Sequence, residues 1–328
     1  MKPVSWLAGG AALSTYAQIV LGATVRSSES GLGCPDWPTC HGGITPPLRF
    51  HPILEYSHRA VGTLTGVLIL AACLAAWYGY RQRAGALTRE ARPSRRWRAQ
   101  RDRAVAERDP ETTHVVRLTT AALGLVIFEG MLGGAAVLLA IPGDLIAVHL
   151  TIALVILALL LLALVSSRPA AVLDVADGRG LRSFFRLALW TALAILVVVI
   201  SGAIVVSSGA TEHCDGWPYC QGGFTIVGGP LVIVQVVHRT LAGLAALLIL
   251  VTAIRAIRRF AGVRPLAVLG WVLLGGVGLE VVMGAGLALL DQPELLKVIH
   301  VALATALWSA GVLACAFAVP RGRPLSIR

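Results

Sequence analysis

Charge is scarce in this chain. Only 14% of its 328 residues are Asp, Glu, Lys or Arg, where a soluble domain carries about 25%. With 56% hydrophobic residues and a mean hydropathy of +0.77, that deficit excludes an ordinary water-soluble domain. Polar–apolar alternation is also missing from most of the long apolar stretches, which are rich in Leu, Ala, Val and Gly. A lipid-exposed backbone must satisfy its own hydrogen bonds, so these stretches are expected to be helices and not barrel strands. Cysteine is sparse too. There are six, and the two external loops that carry pairs hold two thiols each, which argues against a structural zinc site.

Eight stretches reach the roughly 20 helical residues that cross hydrocarbon. They fall at about 6–26, 53–80, 114–140, 144–166, 185–207, 231–256, 264–290 and 294–318. Lys and Arg are rare in the connections after spans 1, 3, 5 and 7. They crowd the connections after spans 2, 4 and 6 and the C-terminal tail, with ten Arg in 81–108 alone. The positive-inside rule then places both termini in the cytoplasm. The net charge of +11 suits juxtamembrane contact with anionic lipid and needs no nucleic-acid partner. Lys2 and the apolar run after it resemble a signal peptide, but Gly22, Val25 and Ser27 recur as Gly202, Val205 and Ser207. An internal copy implies a retained helix.

That copy is part of a repeat. Cys34-Pro-Asp-Trp-Pro-Thr-Cys40 returns 180 positions later as Cys214-Asp-Gly-Trp-Pro-Tyr-Cys220, and His58-Arg59 returns as His238-Arg239. Glu129 and His149 return 151 positions later as Glu280 and His300. The expected architecture is an all-α integral membrane protein of eight transmembrane helices, arranged as two tandem four-helix bundles. Four helices per unit give both units the same orientation, so the repeat is parallel, with a pseudo-twofold axis along the membrane normal. The halves are 1–167 and 185–320, joined by a cytoplasmic linker at 168–184 and followed by a tail at 321–328. The change of offset places an Arg-rich cytoplasmic insertion at 81–112 in the first half.

Each half holds two histidines on its even-numbered spans: His58 and His149, then His238 and His300. Polar residues in lipid are costly and tend to be functional. Two histidines facing across a four-helix bundle suit axial ligation of haem iron. His41, His51, His114 and His213 lie in or beside loops or at a helix end and read as surface residues. Arg59 and Arg239, directly after two of the candidate ligands, are candidates for binding haem propionates. Cys34/Cys40 and Cys214/Cys220 lie in loops expected outside the cytoplasm, where disulfides persist. They read as structural disulfides pinning a lid over each bundle mouth, with redox activity in turnover as the sharper alternative. Cys73 and Cys315 read as buried apolar fillers.

The symmetry breaks beside the ligands. Glu55 stands three residues before His58, whereas Gln235 stands three residues before His238. Both share a helix face with their histidine, and only Glu exchanges a proton. This suggests a reactive first half and a second half that holds a permanent relay cofactor. Glu129 and Glu280 occur in both halves and read mainly as structural hydrogen-bonding residues.

Eight spans, one His on each even-numbered span, Glu55-x-x-His58-Arg59, His238-Arg239 and two Cys-x5-Cys loops together resemble the haem A synthase family, in its bacterial type with Cys-bearing loops. The resemblance covers essentially the whole chain. It implies a plasma-membrane oxidoreductase that oxidises a ring methyl of haem O to a formyl group, giving haem A for terminal oxidases. It implies that His58 and His149 flank substrate haem O, that His238 and His300 ligate a haem b cofactor, and that Glu55 is catalytic. Haem O synthase is an expected pathway partner, and the electron acceptor is unidentified. Two other readings compete: a two-haem electron-transfer protein of the cytochrome b kind, with two equivalent bis-histidine haems, and a disulfide-relay oxidoreductase built on the two Cys pairs.

Overall fold

The computed structural model describes residues 2–88, 110–139, 144–168, 178–220 and 228–319. The expected tail, most of the linker and insertion residues 89–109 lie outside them. Eight long helices follow in chain order: α1 (Lys2–Ser27), α2 (Phe50–Thr88), α3 (Pro110–Leu138), α4 (Asp144–Ser166), α5 (Gly178–Ser207), α6 (Pro230–Arg259), α7 (Arg264–Leu289) and α8 (Glu294–Ala318). All eight are long and apolar enough to cross a membrane. Among the described residues there is no named strand, only an isolated bridge between Cys40 and Gly43 and a 3-10 turn at Ala210–His213.

The helices pack as two rings. α1 touches α2, α2 touches α3, α3 touches α4, and α4 returns to α1; α5 to α8 do the same. The rings meet through α1–α8, α4–α5 and α4–α8. Exchanging each helix for the one four places on leaves this set of neighbours unchanged. The deepest packing lies where the rings meet. Leu154, Leu157 and Leu160 of α4 have 0–1% exposure, and α8 is the most buried of the helices. Two hydrogen bonds cross this seam, Trp308 Nε1–H to the Leu154 carbonyl at 3.0 Å and Tyr16 Oη–H to the Ala302 carbonyl at 3.0 Å. The outward faces instead expose large apolar residues such as Leu64, Trp190, Leu247 and Trp271, as lipid contact requires.

Helix ends differ from the expected spans. α2 runs on to Thr88 and α3 starts at Pro110, so both ends of the expected insertion 81–112 are helical. Arg, Gln and Ala at 81–84 are strong helix formers, and the helix does not stop where hydrophobicity does. α5 starts at Gly178, so the later part of the expected linker is helix. Leu181 and Phe184 explain this: both are buried, and Phe184 packs on Phe260 with ring centroids 4.9 Å apart.

Candidate functional site

Every one of the four repeat-related histidines sits against a glycine. A Cβ on Gly22 would lie 3.1 Å from His58 Cε1, and one on Gly202 would lie 3.1 Å from His238 Cε1. Gly133 and Gly284 face His149 and His300 more loosely, at the ordinary contact distances of 3.9 Å and 3.7 Å. Missing side chains on α1 and α5 thus give the His58 and His238 rings room against a neighbouring helix. His58 and His149 lie within electrostatic range of each other, as do His238 and His300.

The ring nitrogens differ in what neighbours them. His149 Nδ1 lies 2.5 Å from Glu129 Oε2, and His300 Nδ1 lies 3.1 Å from Glu280 Oε1 on a more oblique approach. A carboxylate at Nδ1 selects the Nδ1–H tautomer and leaves Nε2 for a metal. Glu129 thus orients the His149 ring, whereas Glu280 stands beside His300 Nδ1 without a hydrogen bond to it. His238 Nδ1 has a hydroxyl partner, Ser201 Oγ at 2.8 Å. His58 is held differently: its Nε2 lies 3.2 Å from Gln18 Nε2, and its Nδ1 has no partner. Ser201 and Gln18 were not among the expected site residues. The signal that would have found them is polarity inside a span at repeat positions occupied by Leu21 and Val198.

Above His58, a buried carboxylate ties the helix to the first Cys loop. Glu55 is 4% exposed. Its Oε2 accepts from the Cys34 backbone N–H at 2.8 Å, and its Oε1 accepts from Arg59 Nη2 at 2.5 Å. Arg59 also donates to the carbonyls of Asp36, Thr39 and Cys34 at 2.6, 2.6 and 3.0 Å. Arg239 donates to the carbonyls of Gly216 and Cys214 at 2.7 and 3.0 Å. Both guanidiniums are thus committed to loop carbonyls, and a propionate would have to share them. Cys34–Cys40 and Cys214–Cys220 are disulfides, and the Trp37–Pro38 and Trp217–Pro218 bonds are both cis. Trp37 lies over α3, where a Cβ on Gly134 would come within 3.0 Å of its ring. The first loop is therefore a lid docked on the bundle.

The loop carries its own acid. Asp36 accepts from Thr39 Oγ1, from the His41 N–H and from the Gly42 N–H at 2.5, 2.5 and 2.8 Å. These bonds, led by that from Thr39, hold its carboxyl down at a pKa of about 2. His41, His51, His114 and His213 are exposed, in keeping with a surface reading. Cys73 and Cys315 are free and buried.

The donor set fits a haem in each half. Among the described residues no three ligating side chains converge on a point, so a bare ion finds no cage. A haem iron needs only axial ligands, and the two imidazoles of each half would supply them. Buried polar atoms are nearly always satisfied. Among the described residues, the buried side-chain nitrogens and oxygens without partners are His58 Nδ1, Gln18 Oε1, Glu129 Oε1, Glu280 Oε2 and His300 Nδ1. All are on the repeat-related histidines or the side chains beside them.

Relatives agree with this frame. A haem A synthase from Symbiobacterium thermophilum is 30% identical over 93% of this chain and 92% of its own length. One from Alkalihalophilus pseudofirmus is 28% identical over 89% of each chain, and one from Exiguobacterium sp. is 27% identical over 86% and 84%. The family model described as cytochrome oxidase assembly protein matches residues 5–52 and 48–312, nearly the whole helical body. The chain belongs to the cytochrome oxidase assembly protein family.

Proposed function

We propose that this protein is a haem A synthase, a membrane oxidoreductase that converts a ring methyl of haem O to a formyl group. One observation carries the assignment to particular residues. Within a repeated frame of glycine-seated histidines, only the first half places a carboxylate, Glu55, one turn from a ligand, where the second half has Gln235. His58 and His149 hold substrate haem O. His238 and His300 hold haem b, which when bound supplies one-electron transfer toward an external acceptor. The working halves are 1–167 and 185–320, with the Cys loops on the extracytoplasmic side and both termini in the cytoplasm of a bacterial plasma membrane. Haem O synthase is the partner expected to deliver the substrate.

The residues divide the work by chemistry. Oxidising a methyl removes electrons and protons from carbon and adds oxygen. Glu55 accepts protons or stabilises positive charge developing at that carbon. Arg59 and the Cys34 N–H compensate the buried carboxylate, and so fix its position between loop and ligand helix. Glu129 holds His149 in the tautomer that presents Nε2 to iron. The disulfide-pinned loop with Trp37 covers the mouth and limits access of water.

The test is the haem content of the purified protein and of Glu55→Gln, resolved by acid extraction and mass-resolved chromatography. Haem b with haem O or haem A in wild type, and haem b with unconverted haem O in the variant, is the expected result. Haem b alone at two per chain would overturn the reading in favour of an electron-transfer protein.

A further inference from the structure

The two halves grip their haem-facing histidines by opposite means. In the second half, Ser201 Oγ donates its proton to the Val198 carbonyl at 2.8 Å. With that proton so placed, its lone pairs face His238 Nδ1, which suits a ring that carries Nδ1–H and presents a free Nε2. That is a pre-set ligand. In the first half the repeat-related position is Leu21, and His58 Nδ1 is buried with no partner. The Gln18 amide instead faces Nε2, the nitrogen that the other three rings leave free for iron. Whichever end of the amide meets the ring, Nε2 is engaged.

Gln18 has a built seat. A Cβ on Gly62 of α2 would come within 3.0 Å of Gln18 Nε2, so the amide lies where α2 has no side chain. The second half exchanges both members of this pair: Gln18 becomes Val198 and Gly62 becomes Ala242. Gln18 Oε1 is buried without a partner, so the amide keeps unused hydrogen-bonding capacity inside the bundle. Both the amide and its seat belong to the half that must release its haem.

Resting on the assignment of haem O to the first half, we propose that Gln18 is a displaceable latch on His58 and that Ser201 is a fixed anchor on His238. In the absence of substrate, Gln18 occupies His58 Nε2. Iron displaces the amide on entry, and the amide competes for the same nitrogen when product leaves. The first site therefore exchanges its haem, and the second retains it. Gln18 acts through His58 and is a positioning residue.

The experiment uses the full-length protein, with haem content by mass-resolved chromatography and haem loss followed as transfer to an apo-globin acceptor. Gln18→Val copies the second half's own residue. It is expected to slow loss of farnesylated haem several-fold and raise its occupancy, with both kcat and KM lowered. Haem b content stays unchanged and reports that the chain has folded. Ser201→Ala is expected to do the reverse, speeding haem b loss several-fold while sparing first-half occupancy. Unchanged or faster loss of farnesylated haem in Gln18→Val, at normal haem b content, would overturn the latch. A wild-type protein holding no farnesylated haem would instead overturn the synthase assignment on which the latch rests.

Discussion

Where α2 carries Glu55, α6 carries Gln235, and the two are buried alike at 4% and 5% exposure. Where α1 carries Gln18 and Leu21, α5 carries Val198 and Ser201; where the first Cys loop has Asp36, the second has Gly216. The glycines that face the four histidines, the histidines themselves, both loop-binding arginines and both disulfides do not differ. The carboxylates beside His149 and His300 also repeat, and the divergence gathers around His58 and His238. Packing does not force the Glu55/Gln235 difference, because the side chains are nearly isosteric and a neutral amide is accommodated in the second half. Burying a charge costs several kcal/mol unless it is paired, and the first half supplies Arg59 and the Cys34 N–H as compensation. A charge kept where an amide fits is best explained by chemistry in the first half.

The most severe test of that comparison removes one half's cofactor. His238→Ala is expected to lose haem b completely and all turnover with it, while haem O still binds the first half; extracted pigment decides. Next, Glu55→Gln makes the first half resemble the second. Conversion of haem O should fall by about 10²–10⁴-fold, the usual loss on removing a general acid–base group, with both haems still bound. Gln235→Glu should leave conversion nearly unchanged. Equal losses in the two variants would break the functional distinction between the halves.

Much of this was legible in the sequence because it rests on composition and on residues repeated at fixed offsets. The helix count, the four histidines, the disulfide partners and the Glu55/Gln235 break all belong to that kind. What was not legible depends on the rotational phase of one helix against another. Glu129 and His149 are twenty positions apart on different helices, and only the packing of α3 on α4 brings their atoms to 2.5 Å. Gln18 and Ser201 reach their histidines across the α1–α2 and α5–α6 contacts in the same way. Arg59 shows the same dependence on packing. The next residue on a helix points about 100° away, so the neighbour of His58 turns to the loop carbonyls.

Smaller effects sharpen the comparison. Glu129→Gln should weaken haem retention by about 10–100-fold, as loss of a ligand-orienting partner commonly does. Glu280→Gln should cost less, because its approach to His300 is longer at 3.1 Å. Haem transfer rates measured on the two variants side by side give the ratio. The paired serine variants of each disulfide separate stability from catalysis. Each disulfide spans only six positions, so losing either should cost about 2 kcal/mol by the loop-closure relation. Only Cys34→Ser with Cys40→Ser should also slow haem A formation, because the Cys34 N–H is a partner of Glu55.

The smallest expected difference lies in acid. Asp36 has its carboxyl held at about 2 by Thr39 and by backbone N–H groups, against an ordinary 3.8. A depressed carboxyl stabilises the folded loop fully above its unfolded value, and that contribution disappears as pH falls through the folded one. The first loop should therefore loosen between about pH 4 and pH 2, while the second, with Gly216 at this position, should not. Phosphine reduction of the two disulfides, followed by mass mapping across that range, reads the difference directly. Cys34–Cys40 should become a few-fold more reducible toward pH 2, and Cys214–Cys220 should not change. Asp36→Asn should give the faster rate already at neutral pH. A parallel response of both disulfides would mean that acid acts on the bundle as a whole, and that Asp36 does not set the order of the lid.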